Sequence, residues 1–428
     1  MKKSLSILIL LTLFAVSCTH TPATKGEGTG ETGTTSETAT NVAPAVAQTE
    51  AELGILHPLR FADDVKIYEA DDVLHKKAYE VPKMLDAHQM LVIGHPLAKG
   101  KLAATVYEVR DPNVKEERYP NALAIGYYDL DKKEMVKIRE TGASAGVSQE
   151  DIQKIHLYPL DEARLLYEVY QEGGIEYFTY AFADGKLTKF AEIKTGDDYW
   201  FAGVPYLSRD HLYIPEPMPH EVVRTHVYDR KTLEEVKTSD SGAELRLLDG
   251  KEVYRTGYPS GDTAWTEELH IGDEITSRES VKKESLLAMG VTSDPQAVYT
   301  LTQYLDSHEL EEDLTEEDRT REELYTPYVV VRDETAKKDI VRMRGSYLEM
   351  RVSEGLLGLW KVTRKKDQVT RSAYFYLPEE NCALRVTVPE TCTAFLMLQA
   401  EPYAVLFGDQ EANEKTLTVY TFEKTESH

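Results

Sequence analysis

A strand–turn–strand unit that recurs along the chain is the feature that most restricts its fold. In residues 224–237, apolar and polar side chains alternate up to Tyr228, a polar turn begins at Asp229, and a second alternating run follows. Alternation with β-branched and aromatic residues is typical of half-buried strands. Related units occupy residues 125–136, 178–187, 269–275, 328–335, 373–384 and 417–423. This repetition predicts an all-β repeat fold.

The spacing of the repeats predicts a β-propeller. From residue 89 onward the sequence divides into groups of short strands, and the third strand of each group recurs at intervals of 41 to 62 residues. A period in the forties with four strands per unit is typical of propeller blades. We expect seven four-stranded blades, with six or eight as alternative counts and a pair of β-sandwiches as the alternative fold. The third strands are anchored at Tyr128, Phe182, Tyr228, Leu269, Val331, Phe375 and Tyr420.

The seventh group contributes only three strands, at residues 393–398, 403–407 and 416–422. Near the N-terminus, Val65–Glu69 alternates like an isolated strand, whereas residues 71–88 carry a weak helical pattern interrupted by Pro82. Pairing an N-terminal strand with the last group would leave no open sheet edge. We therefore expect Val65–Glu69 to complete the seventh blade.

The first 17 residues have the features of an export signal. Two lysines precede a short apolar run, which ends in small residues directly before Cys18. The closing residues, Ala15 to Cys18, resemble the lipobox of bacterial lipoproteins. The resemblance implies that cleavage leaves Cys18 as an acylated N-terminus, which attaches the protein to a membrane of the cell envelope. Thr19 implies the outer membrane if the source has two membranes.

Residues 18–52 are expected to form the lipidated cysteine and a flexible tether. The segment is rich in Thr, Gly, Ala and Glu, and its residues 19–52 contain no aromatic residue, Leu or Ile. Such a composition buries too little apolar area to offset the entropy of ordering the chain. Random-coil scaling gives a reach on the order of 30 Å. Residues 53–428 are then the propeller domain.

The charge of the chain restricts its partners. It has 49 Lys and Arg residues against 74 Asp and Glu, which gives a net charge of −25. This balance argues against nucleic acid or an anionic membrane surface as an electrostatically held partner, and it suits cations or basic proteins. Solubility alone also explains it.

The sequence contains no recognisable catalytic or metal-binding motif, so we predict neither a cofactor nor a metal. His220 and His226 lie about 20 Å apart along one strand, too far to share an ion, and are interpreted as surface residues. Cys382 and Cys392 would likewise lie about 20 Å apart, which predicts two free thiols.

Loop lengths indicate where a partner would bind. Links between second and third strands include the acidic insertion 306–323, and they should emerge at the same face as connections between blades, such as 141–151. Aromatic rings near this face could stack on sugars or fill a protein interface, although packing between blades is an equal alternative. The insertion is interpreted either as a docking arm or as a solvated loop. The candidate binding residues are Tyr119, Tyr199, Trp200, Tyr258, Tyr325, Glu311, Glu312 and Asp313.

These features together predict a lipid-anchored, non-catalytic propeller that binds a protein or glycan at the cell envelope. A glycan hydrolase or lyase on the same scaffold is the first alternative, because propellers support both binding and catalysis. A structural subunit of an envelope complex is the second.

Overall fold

A computed structural model describes most of the compact unit Pro44–His428. Cys18 and the first part of the tether lie outside the described residues. The residues that the structure describes are 45–55, 57–109, 121–142, 146–194, 204–218, 223–242, 245–259, 264–282, 286–293, 296–305, 327–344, 347–353, 356–365, 368–388, 392–396, 405–408 and 416–424.

The N-terminal part of this unit contains three strands and one short helix. In chain order they are β1 (Arg60–Phe61), β2 (Lys66–Glu69), α1 (Ala70–Val73) and β3 (Leu74–Pro82).

Six antiparallel blades of four consecutive strands follow, which confirms an all-β propeller. Blade 1 consists of β4 (Gln89–Ala98), β5 (Lys101–Glu108), β6 (Ala122–Asp129) and β7 (Glu134–Glu140). After helix α2 (Gln149–Gln153), blade 2 consists of β8 (Ile155–Pro159), β9 (Arg164–Gln171), β10 (Gly174–Ala181) and β11 (Leu187–Lys194). Blade 3 consists of β12 (Tyr206–Leu207), β13 (His211–Pro217), β14 (Val223–Asp229) and β15 (Glu235–Ser239).

The second three blades repeat this order. Blade 4 consists of β16 (Arg246–Leu248), β17 (Lys251–Pro259), β18 (Ala264–Ile271) and β19 (Glu274–Lys282). Blade 5 consists of β20 (Leu286–Ser293), β21 (Gln296–Leu305), β22 (Pro327–Asp333) and β23 (Lys338–Arg344). Blade 6 consists of β24 (Tyr347–Ser353), β25 (Leu356–Lys365), β26 (Gln368–Leu377) and β27 (Cys382–Val386). The structure thus shows six blades of consecutive strands where the sequence predicted seven blades.

A further sheet combines both ends of the domain. Its strands are β28 (Cys392–Leu396), β29 (Val405–Gly408), β30 (Thr416–Lys424) and the N-terminal β3. We refer to it as the composite sheet.

The predicted identity of the N-terminal partner strand was wrong. The strand β2, which contains most of Val65–Glu69, runs parallel to the outer edge of blade 6, with Ile67 opposite Ala383. The strand β3 pairs with β30 instead, in a segment for which the sequence indicated a helix. Leu74 and Val81 on β3 are both buried, and they belong to different core clusters. Because both faces of β3 are partly buried, its sequence lacks the simple alternation of a half-exposed strand.

The turns between third and fourth strands explain the recurring sequence unit. In five blades, the fourth residue after the third strand has a φ between 45° and 70°. In blade 3 the carboxylate of Asp229 accepts hydrogen bonds from the backbone amides of Lys231 and Thr232, and Asp333 repeats this arrangement in blade 5. A residue at positive φ closes a short hairpin with a bulge. The five residues are Lys133, Gly185, Leu233, Lys337 and Asn381.

The core lies between neighbouring sheets. Leu97 and Tyr127 of blade 1 pack with Leu157 and Tyr167 of blade 2. Ile152 of α2 packs into the same cluster, and this helix begins with a capping box between Ser148 and Asp151. Its five residues therefore fill space between two blades.

Residues 45–69, which we call the N-terminal strap, attach to the outer edges of blades 5 and 6. The strand β1 pairs with β23, and Leu59 packs into the apolar cluster shared by these two blades. Phe61 contacts the ring of Tyr374 edge-on, with the ring centroids 5.2 Å apart. The strap therefore contributes to the core between the two blades, and the prediction that the flexible tether extends to residue 52 was wrong for residues 45–52, which belong to the folded domain.

A buried ion pair fixes the strap. The side chains of Glu50 and Lys361 are both 0% exposed and form a salt bridge. The hydroxyl of Tyr374 donates to Oε1 of Glu50 at 3.1 Å, and the amide of Leu59 donates to Oε2 at 2.7 Å. Lys361 also donates to the carbonyl of His57 at 3.1 Å. Burial lowers the pKa of Lys361 and raises that of Tyr374, so this cluster depends on close charge compensation.

Cys382 is a buried free thiol, as the sequence predicted. Burial raises its pKa to about 11, so the thiolate is disfavoured at neutral pH. The side chain of Cys392 lies outside the described residues.

Candidate binding face

The antiparallel order of each blade separates its links into two sets. Links between second and third strands leave from the same end of the sheets as the connections between blades, and all other links leave from the opposite end. The first set includes residues 109–121, 195–205 and 306–326, whereas links at the opposite end of the six blades are short, such as 99–100 and 249–250. We call the end with the first set the long-link end. The strand bounds agree with the asymmetry expected from the sequence.

Among the predicted binding residues, Tyr258 is the one whose position is described. It lies at the end of β17 beside the link 260–263, and its side chain is 42% exposed. Its hydroxyl donates to Oε1 of Glu268 at 2.8 Å. The remaining candidates, with the lipid attachment residue Cys18, lie outside the described residues: Tyr119, Tyr199, Trp200, Tyr325, Glu311, Glu312 and Asp313.

A polar cluster of blade 4 holds the hydroxyl of Tyr258. Glu268 is buried, and its Oε2 lies 3.6 Å from Nε2 of His270. His270 is 2.9 Å from the hydroxyl of Thr256, and its ring stacks on that of Tyr254 with centroids 4.6 Å apart. Because the hydroxyl of Tyr258 is hydrogen-bonded to the buried carboxylate of Glu268, the orientation of its exposed ring is restricted. A fixed aromatic ring can stack on a sugar or contact an apolar side chain.

Blade 3 carries a row of alternating charges. Arg224 bonds Asp240 at 2.7 Å and lies 3.9 Å from Glu216. Nε2 of His226 is 2.9 Å from Glu216, and Nδ1 is 2.8 Å from Glu235. Both ring nitrogens can donate to these carboxylates when the imidazole carries two protons.

His226 is therefore hydrogen-bonded within its blade, and its side chain is partly exposed, at 16%. His220 lies outside the described residues. Among the residues whose side chains the structure describes, no group of His, Cys, Asp and Glu is arranged to hold a metal ion.

Blade 2 contains a carboxyl group inside its core. Glu168 is 1% exposed, and the hydroxyl of Tyr158 donates to its Oε2 at 3.1 Å. The hydroxyl of Tyr177 also hydrogen-bonds this carboxyl, yet burial raises the pKa of Glu168 to about 7. The ring of His156 lies against those of Tyr158 and Tyr170, and burial lowers its pKa.

Sequence reasoning missed Glu168, although the sequence carries a signal for it. It is the single acidic residue in the otherwise apolar and aromatic stretch 165–170 of β9. A charged residue in such a strand indicates a buried polar interaction. The hydroxyls of Tyr158 and Tyr177 satisfy this enclosed carboxyl group.

Comparisons with known proteins identify no family for this chain. No protein-family model matches the chain, and no curated protein matches it. The β-propeller domain of the Trilobed protease from Pyrococcus furiosus is similar over 80% of this chain and 96% of its own, with 10% identity and a TM-score of 0.44. An oligogalacturonate lyase in complex with manganese is similar over 90% and 96%, with 10% identity and a TM-score of 0.42.

An acylaminoacyl peptidase from Pyrococcus horikoshii is similar over 81% of this chain and 54% of its own, with 9% identity and a TM-score of 0.43. Helices in the described part of the chain are too short or too polar to cross a membrane.

Proposed function

We propose that this protein is a lipid-anchored β-propeller of the cell envelope that binds a protein or glycan partner at its long-link end. The observation that carries the proposal is the collection of the longest links at one end of rigid sheets, an arrangement in which binding residues concentrate. Tyr258 lies at this end with a fixed ring and a 42% exposed side chain. Its position agrees with a role in contacting the partner.

The composition of the long links supports a basic partner. The link 306–326 contains Glu311, Glu312 and Asp313 within a run of acidic residues. Acidic loops steer a positively charged partner during association, and they repel nucleic acid. We therefore favour a protein with a basic surface, with a glycan as the second class.

The anchoring part of the proposal is supported by the sequence. The lipobox-like residues before Cys18 resemble those of bacterial lipoproteins, and a Thr-rich tether separates them from the strap. Anchoring by acyl chains needs no spanning helix.

We also propose that the composite sheet is a seventh blade that closes the ring. Val81, Leu417 and Val419 of this sheet pack with residues of blade 1, and Phe422 packs with residues of blade 6. Pairing of β3 with β30 would then join the chain ends and protect both edges.

A charge-reversal comparison tests the binding face. The triple variant Glu311→Lys, Glu312→Lys, Asp313→Lys should lose partners that cross-link to the wild type in detergent-solubilised envelope membranes. Tyr258→Ala should lose them too, or lose binding to purified envelope glycan.

The matched control is the triple variant Glu234→Lys, Asp273→Lys, Glu379→Lys. It makes the same charge change in the short turns at the opposite end of the blades. Equal loss of the partner in both triple variants would place the contact elsewhere.

The anchor has a separate test. Cys18→Ala should abolish incorporation of an alkynyl fatty acid and should leave the protein either soluble or unprocessed. A processed, membrane-bound variant would show that the lipobox interpretation is wrong.

A further inference from the structure

The apolar cluster between blades 2 and 3 encloses one carboxyl group. Leu166 and Ile175 of blade 2 pack in one cluster with Leu212 and Ile214 of blade 3. Glu168 lies two residues from Leu166 along β9, and side chains two apart share a face of a strand. The carboxyl of Glu168 therefore points into this interface.

Two tyrosine hydroxyls are the hydrogen-bond partners of Glu168. Tyr158 belongs to β8 and Tyr177 to β10, so the carboxyl links the two strands on either side of its own. In the described part of the chain, Glu168 forms no ion pair with a Lys, Arg or His side chain. A carboxylate in such surroundings lacks a compensating charge, whereas the neutral acid is accommodated.

The other titratable groups of this interface are already engaged. On the blade 2 side, burial lowers the pKa of His156, and Tyr170 lies against its ring. His95 of blade 1 bonds the carbonyl of Leu157 at 2.7 Å, and burial lowers its pKa as well. These imidazoles are therefore disfavoured as sources of positive charge for Glu168.

The charged side chains of blade 3 at this interface are engaged with other groups. Buried Arg230 donates to the carbonyl of Leu160 in blade 2 and, at 3.2 Å, to that of Ser208, at the end of the interface opposite the long-link end. His226 lies between Glu216 and Glu235. Arg224 pairs with Asp240 and approaches Glu216. Tyr228, on the same face, packs in the shared apolar cluster.

We propose that the interface between blades 2 and 3 is a proton-operated joint, tightly packed when the carboxyl of Glu168 is neutral and loosened when it is charged. Loss of the proton to solvent leaves an anion among apolar side chains. Hydration of that anion requires water to enter between the sheets, which separates the contacts around Leu166 and Tyr177. Because Tyr170 and Glu216 lie towards the long-link end of the same interface, loosening changes the support of the links at that end.

Hydrogen exchange as a function of pH tests the joint directly. The comparison uses the wild type and Glu168→Gln, since the amide keeps hydrogen bonds to both tyrosines without a charge. Amides of β9 and β14 should exchange faster in the wild type than in the variant, and the ratio should rise about thirtyfold between about pH 5.5 and pH 8.5. It should level off above about pH 7, where the folded carboxyl is ionised. For amides of β22 and β26, the ratio of exchange rates between wild type and variant should not change with pH.

Infrared difference spectroscopy of the wild type gives a second measurement that does not depend on the variant. The band of a protonated carboxyl should disappear near neutral pH and should be absent from Glu168→Gln. Titration of this band near pH 4.5, or an exchange ratio that does not change with pH, would overturn the proposal. If Glu168→Gln does not fold, Tyr158→Phe removes one donor to the anion, and the band should then disappear at higher pH; an unshifted transition counts against the joint.

Discussion

Replacement of Glu50 by Gln removes the negative charge of the buried pair that fixes the N-terminal strap. The change is nearly isosteric, so cavity effects are small. It leaves the ammonium group of Lys361 in a fully enclosed site with a neutral amide as its neighbour. Breaking a buried pair by removal of one partner costs about 3–5 kcal/mol in free energy of unfolding. We expect a loss in that range.

The double variant Glu50→Gln, Lys361→Met separates this charge effect from loss of packing. Replacing both members of a buried pair is often neutral or stabilising, because neither charge then has to be desolvated. The double variant should therefore recover most of the stability that the single variant loses.

Urea unfolding of the wild type, both single variants and the double variant gives the coupling free energy. Lys189→Met is the matched control, because its ion pairs with Glu176 and Glu192 lie at the surface. It should leave the stability close to that of the wild type, because exposed ion pairs contribute little. A loss below about 1 kcal/mol for Glu50→Gln, or additive losses in the double variant, would refute the role assigned to the pair.

Three further predictions concern other parts of the domain. Lys337→Gly should raise the free energy of unfolding by about 0.5–1 kcal/mol in denaturant titrations, since Lys337 has a φ of 54°, and Gly185→Ala should lower it by a similar amount at a φ of 70°. Deletion of residues 19–44 should leave the melting temperature nearly unchanged in calorimetry, whereas deletion of 19–61 should lower it by about 5 °C or more; equal values would contradict the role of the strap. Burial raises the pKa of Glu168 to about 7, so its stabilising contribution is present below about pH 4.5 and is lost as the pH rises to about 7. Glu168→Gln should therefore gain about 2–3 kcal/mol relative to the wild type between about pH 5 and pH 8, and a constant difference would count against the raised pKa.

The sequence predicts those parts of the fold that depend on neighbouring residues. The alternation before Tyr228 and the carboxylate of Asp229 specify a strand and its turn through contacts within a few residues. Copies of that hairpin at intervals in the forties then indicate a propeller, because each blade repeats the same local arrangement. Tyr258 could be assigned to the long-link end for the same reason, since the order of strands determines where each link emerges.

Contacts between distant parts of the chain were decided by the tertiary structure. Val65–Glu69 and Leu74–Pro82 both had the length for a strand, and the choice between β27 and β30 as partners depends on packing more than 300 residues away. From the sequence alone, Glu50 and Lys361 are both consistent with surface positions. Packing of the strap against blade 6 brings them together as a buried ion pair. The raised pKa of Glu168 likewise results from the blade that covers it, because desolvation depends on the three-dimensional surroundings of a group and not on its neighbours in sequence.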